Sequence, residues 1–285
     1  MTLKIGTIQR LLQEECDHVF DRIASLGLHT CQLSNWDPSL YRKPELRNTL
    51  LRKLREQMAE KEVRPCAFWA GYSGMVCWNF VEGPVTMGLV PTAYRSHRVV
   101  ELREAADFAK ELGLPAIITH CGFIPENMTD SEFLPVVMGI YEVASHCKAL
   151  GMEFWFETGQ ETPVTLLRTI QRLEELGLDN LGINLDPANL LLYGKGNPID
   201  ALDVFGKYVR NIHVKDGCVP SDGKRLGPER QVGQGMVRYP AFVRRLKEIG
   251  FQGEFIIERE IPENEEQLRD IRETMGNLEK WWREA

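Results

Sequence analysis

Apolar positions along the chain gather into short runs rich in β-branched and aromatic residues, and each run is followed by a stretch of helical period. To within a few residues the runs are Leu3–Ile8, Thr30–Ser34, Arg64–Ala70, Ala116–Cys121, Glu153–Glu157, Leu181–Leu185, Val209–Val214 and Glu254–Glu258. Helical segments lie between them. Ala105–Leu112 ends at Gly113, Leu166–Leu176 ends at Gly177, and Phe242–Ile249 ends at Gly250, where a left-handed cap is expected. Strands that alternate with helices pair in parallel through right-handed crossovers. Eight such units, with no Gly-rich dinucleotide turn, predict one closed (β/α)₈ barrel spanning residues 1–285 rather than an open doubly wound sheet.

Two stretches stand outside this rhythm. Residues 71–91 carry four glycines and two prolines beside Tyr72, Trp78 and Phe80. A loop of that length with those aromatics is expected to form a lid over a pocket. At the other end, residues 263–284 read as a charged amphipathic helix carrying Trp281 and Trp282. Those rings are expected to cover the barrel floor or pack on a second copy, which leaves a homo-oligomer open.

Composition narrows the function. The 285 residues are 43% hydrophobic and 26% charged, with a formal net charge of −7. That balance argues against a nucleic-acid partner, whose phosphates call for a basic face. No apolar run reaches the length of a membrane span, and the first residues read as a strand rather than a signal peptide. Seven cysteines with no CxxC spacing read as reduced thiols, which predicts a cytoplasmic protein.

The active site of such a barrel lies at the C-terminal ends of the strands. Four consecutive strands end there in ionisable groups: Glu157, Asp186, His213 and Glu258. Each alone has an ordinary reading. Asp186 before Pro187 suits a helix N-cap or a turn, and His213 suits a hydrogen-bonded core histidine. As a set, three acids and an imidazole beside apolar runs are too costly to desolvate without a cation. The set therefore predicts one divalent metal. Its oxygen-rich character suits Mn²⁺ first, with Co²⁺, Fe²⁺, Mg²⁺ or Zn²⁺ as alternatives.

The segments around these four residues, FETGQETP, NLDPANLLLYG, NIHVKDG and FIIERE, resemble the sugar phosphate isomerase/epimerase family of xylose-isomerase-like barrels. The resemblance runs nearly the length of the chain and is densest from Phe154 to Glu260. It implies one divalent ion held by Glu157, Asp186, His213 and Glu258, with Glu157 and Glu258 as the proton-transfer pair. The implied reaction is isomerisation or epimerisation of a small sugar, keto-sugar or sugar phosphate through a metal-stabilised enediolate. Two positions depart from the family pattern: Asn189 stands where the ketose 3-epimerases have a histidine, and Val219 where they have an arginine.

Further candidates for substrate contact are Asn189, Lys215, His120, Trp36 and Trp69. Lys215 could donate to a substrate oxygen or phosphate, or simply pair with Asp216. His120, at the end of the fourth run, could bond substrate or a ligand carboxylate, or be structural. One of the two tryptophans is expected to stack on a sugar face. The turn Gly233-Gln234-Gly235 is expected to let backbone approach the substrate, and His18, His97 and His146 read as structural residues of helices. The runner-up activity is a lyase acting on an inosose or 3-keto-glycoside. A zinc endonuclease-like phosphodiesterase needs more histidines and a basic face, and a non-catalytic sugar-binding barrel would keep the ion without turnover.

Overall fold

In the computed structural model, which describes residues 3–11 and 17–285, the eight apolar runs form the eight strands of a closed parallel barrel. The strands are β1 (Ile5–Arg10), β2 (Thr30–Asn35), β3 (Arg64–Ala70), β4 (Ala116–Thr119), β5 (Glu153–Glu157), β6 (Leu181–Leu185), β7 (Val209–Val214) and β8 (Glu254–Ile257). Each pairs with its neighbour in sequence, and β8 closes on β1. β1 lies two residues later than the sequence pattern suggests, and β4 stops before His120 and Cys121. Gly113 and Gly250 take positive φ beyond their helices, as does Gly177.

Residues alternate between the two faces of each strand. Phe154, Phe156, Ile183, Leu185, Ile212, Val214, Phe255 and Ile257 face the helices and join the main hydrophobic core. The interior face carries the intervening residues, among them a small separate cluster of Ala67, Trp69, Ala116, Ile118 and Trp155. Gly182 makes room for it: a Cβ there would come within 2.5 Å of the Trp155 ring. The same alternation points Glu157, His213 and their neighbours up the inside of the barrel.

Residues 71–91 fold against the barrel mouth and include a short helix, Gly83–Thr86. The fully buried Arg98, on the helix Thr92–Leu112, holds the segment from below. Its guanidinium donates to the carbonyls of Ser73 (3.2 Å), Met75 (3.0 Å), Thr86 (2.8 Å) and Gly88 (2.7 Å). It sits 4.3 Å from the Tyr72 ring centre and 4.5 Å from that of Tyr94. Across the mouth, Asn79 bridges Arg225, and the Phe80 amide donates to the Lys224 carbonyl.

Several expectations are corrected. Trp281 stacks on Tyr239 and Trp282 packs edge-on against Phe255, so both rings of the terminal helix (Glu265–Glu284) cover the barrel's own outer wall and not its floor. His18 lies in a turn and pairs with Asp21, whereas His97 and His146 sit on helices paired with Glu101 and Asp107. Of the cysteines, Cys16 lies outside the described residues; the other six are free, three buried and three partly exposed. A two-residue ribbon, Asp216–Gly217 with Glu229–Arg230, follows β7 with no forewarning in the hydrophobic pattern.

Candidate metal centre

Glu157 is the last residue of β5, Asp186 and Glu258 follow β6 and β8 directly, and His213 lies on β7. One ligand atom from each comes within 4.8 Å of all the others. The Nδ1 of His213 is 3.1 Å from Glu157 Oε1, 3.1 Å from Glu258 Oε2 and 3.8 Å from Asp186 Oδ2. Atoms bound about 2.1 Å from one ion stand about 3.0–3.4 Å apart, so little movement separates this spacing from a ligand set.

The N-cap reading of Asp186 holds, and it leaves one carboxylate oxygen over. Its Oδ1 accepts from the Asn189 amide at 2.9 Å and caps the helix Pro187–Leu192. Its Oδ2 is buried and makes no hydrogen bond, and the same is true of His213 Nδ1. On the far side of that imidazole, Nε2 lies 2.9 Å from Gln32 Oε1, an acceptor, so the neutral ring carries its proton there and has its lone pair on Nδ1. Two orphaned atoms, one anionic and one a nitrogen lone pair, facing each other in a buried pocket are what a divalent cation would satisfy. The residues present fit the ion.

The electrostatics agree. Burial alone would raise the Glu157 carboxyl, but His120 and His213 outweigh it and hold it below the ordinary range. Burial likewise opposes ionisation of Glu258, and Lys215 with His213 hold it far lower. Burial wins at Asp186, which is pushed up. Burial would also discharge His213, yet Glu157 and Glu258 drive it well above its usual value, a proton filling the place of a cation. In the ion-free protein that proton contributes stability fully present below the unfolded histidine value of about 6.5, and lost as pH rises through the raised folded value. Ion binding must displace it, so affinity rises with pH. Adding Mn²⁺, Co²⁺ or Mg²⁺ at a hundredfold its Kd to chelator-treated protein is expected to add about 2.7 kcal/mol of stability. In a thermal melt that is roughly 5–10 °C, and one fixed ion concentration is expected to shift the melt more at pH 8 than at pH 6. A flat melting temperature with every divalent ion would remove the centre.

The centre floors a cleft of about 430 Å³. Of the sequence candidates, His120, Lys215, Asn189, Trp36 and Trp69 all line it. Lys215 is buried and does not pair with Asp216: its Nζ is 2.6 Å from Glu260, 3.3 Å from Glu258 and 3.7 Å from Asp186. Trp69 is buried in the cleft wall and its Nε1 donates to Glu157 Oε2. Trp36, 45% exposed, presents the open aromatic surface, tilted against Trp69 with ring centres 4.3 Å apart. Trp78 from the 71–91 segment stands edge-on to it and reaches His120. His120 Nε2 is 3.7 Å from Glu157 Oε1. Val219, 44% exposed, does not line the cleft.

The Gly233-Gln234-Gly235 turn also departs from expectation, since it is absent from the cleft wall. It wraps Asp216 instead, whose carboxylate accepts from the amides of Gly233 (2.9 Å), Gly235 (3.0 Å), Val237 (3.1 Å) and Gly217 (2.8 Å). A Cβ on Gly235 would come within 2.1 Å of that carboxylate. Gln32 and Glu260 carry no role in the sequence reading, and Asp216 enters it only as a partner for Lys215. Gln32 had a signal: a polar residue alternating with Cys31 and Leu33 must face the barrel interior and need a partner.

Residues 20–284 match the model of the family described as xylose isomerase-like TIM barrel. The chain belongs to this family. A xylose isomerase domain protein from Planctomyces limnophilus is 32% identical, with 99% of each chain covered and a TM-score of 0.85. An L-ribulose 3-epimerase has the same fold at 17% identity, covering 100% of this chain and 97% of that one, with a TM-score of 0.71. Among curated relatives, the inosose dehydratase of Geobacillus kaustophilus is 28% identical over 149 residues, 47% of this chain and 48% of that protein. The chain spans about half the length of the curated relatives it matches. Among the described residues of this family member, no helix is long and apolar enough to cross a membrane.

Proposed function

We propose that this protein is a divalent-metal-dependent isomerase or epimerase of a small sugar, keto-sugar or sugar phosphate, working by proton transfer beside a carbonyl. The observation that carries this reading is the asymmetry of the two glutamates over one candidate ion site. Glu157 has both oxygens engaged, Oε1 toward His213 and Oε2 by Trp69. Glu258 gives Oε2 to His213 and Lys215, while its Oε1 has no partner among the described residues and the side chain stays 17% exposed in the cleft. Glu258 is therefore the base with an oxygen free to take a carbon-bound proton, and Glu157 is the second proton-transfer group, which must itself take up a proton before returning one to the opposite face.

A bound divalent ion supplies Lewis acidity, offsetting negative charge on a substrate oxygen as the neighbouring carbon loses its proton. The chain's own groups do the rest. Lys215 and Asn189 offer donors to substrate oxygens, His120 orients Glu157, and Trp36 offers an apolar face to the sugar's C–H bonds. The three carboxylates and one imidazole favour Mn²⁺. Free thiols fit a reducing compartment, and we place the protein in the cytoplasm.

A second reading, dehydration of an inosose-like polyol ketone, shares the proton abstraction and then expels a hydroxyl. The inosose dehydratase relative favours it, as does Asn189 in the place of the epimerases' histidine. One experiment separates the two. The Mn²⁺-loaded protein is incubated in D₂O with ketoses, keto-glycosides and inososes, and the products are read by NMR. Deuterium in an intact, isomerised sugar is the expected result; loss of water assigns the dehydratase. No exchange at any carbon across the panel sinks both.

A further inference from the structure

We propose that Gln32, aligned by Asn211 and Asn184, is the positioning residue that makes Nδ1 of His213 the metal-binding nitrogen; the inference rests on the metal reading above. Gln32, Asn184 and Asn211 are all buried inside the barrel. They form a row. Asn211 Nδ2 donates to Asn184 Oδ1 at 2.6 Å and to Gln32 Oε1 at 3.3 Å, and Gln32 Oε1 lies 2.9 Å from His213 Nε2.

The row has a direction. A carboxamide presents an acceptor at one end and donors at the other, and reversing one member sets donor against donor or acceptor against acceptor with its neighbour. With the row as it stands, Gln32 offers an acceptor, so the neutral His213 that receives an ion must keep its one proton on Nε2 and turn a bare Nδ1 to Glu157, Asp186 and Glu258. With all three amides reversed, Gln32 would offer N–H to Nε2, and the proton would move to Nδ1, where it blocks a metal. Amide orientation and metal competence are thus a single choice, made one residue inside the ligand set.

The amide also differs from the commoner carboxylate partner of a ligating histidine in adding no charge. Three carboxylates already face the site. A neutral partner fixes the imidazole without making it a stronger electron donor, which leaves a bound ion more electron-poor and a better Lewis acid.

The test compares wild type, Gln32→Leu and Gln32→Glu by competition for Zn²⁺ and Mn²⁺ against a fluorescent chelator. It is paired with ¹⁵N NMR of the His213 ring in the zinc-loaded wild type. Gln32→Leu is expected to bind either ion 10–100-fold more weakly. Gln32→Glu, which keeps an acceptor oxygen, is expected to bind at least as tightly as wild type. The wild-type ring is expected to carry a slowly exchanging proton on Nε2. Binding by Gln32→Leu within twofold of wild type, or a zinc-bound Nε2, overturns the inference while leaving the metal centre standing. A wild type that takes up neither ion overturns both. The ring measurement needs no variant, so it decides the matter even where Gln32→Leu fails to fold.

Discussion

Glu258→Gln is expected to slow exchange of the substrate's carbon-bound hydrogen with solvent by about 10²–10⁴-fold, the contribution of a well-placed general base. The amide keeps an oxygen that can still face the ion, so metal content should fall less than activity. The carboxylate's loss has a second effect. Lys215 and His213 both lean on this acid, and without it Lys215 keeps only Glu260 and the more distant Asp186. Glu157→Gln is the matched control, because its Oε2 bond from Trp69 and its contact with His213 make it more a fixture of the site. Measured by deuterium incorporation at saturating Mn²⁺, the expected order is Glu258→Gln slowest, then Glu157→Gln, then wild type. A Glu258→Gln protein that holds its ion and exchanges within fivefold of wild type would remove Glu258 from the chemistry.

Arg98→Met is expected to cost about 3–5 kcal/mol of stability, a fall in Tm on the order of 10 °C. The guanidinium is fully buried, and burial draws its pKa down from the ordinary arginine value. Four hydrogen bonds to carbonyls of residues 73–88 and two tyrosine faces are what hold it there. Removal leaves those carbonyls without donors in a dry setting, each costing about 1–3 kcal/mol unless the segment opens to water. Opening is the cheaper course. The damage should then concentrate at residues 71–91, seen as faster amide exchange and new protease cuts there while the barrel strands stay protected. Arg98→Lys, with one charge but no planar fork, should fall between the two. A variant with unchanged melting and no added exchange would show that the segment is held by its other contacts.

The barrel was legible because its strands are buried on both sides and its helices close with glycine, signals that local pattern carries well. The four charged strand ends were legible for the same reason: an acid at the end of an apolar run has to meet something. What escaped was set by distance in sequence. Gln32 and His213 are 181 residues apart, and Trp69 and Glu157 are 88 apart. Neither partner betrays the other in a window of ten residues. The Gly233-Gln234-Gly235 turn shows a close approach in the sequence but not of what, because a glycine reports only that something comes near; here it is the carboxylate of Asp216. Lys215 was likewise drawn toward its sequence neighbour, when the acids that hold it arrive from β6 and β8.

Asp186 serves two masters through its two oxygens, one fastening the start of a short helix and the other turned to the centre. Substitution therefore has no gentle option at this site. Asparagine preserves the cap and forfeits the negative charge; glutamate preserves the charge but its extra methylene carries the cap out of register. A lineage that abandoned the chemistry would still be obliged to keep this aspartate or rebuild the turn, so its survival in a distant homologue says less about activity than the survival of Glu258 would.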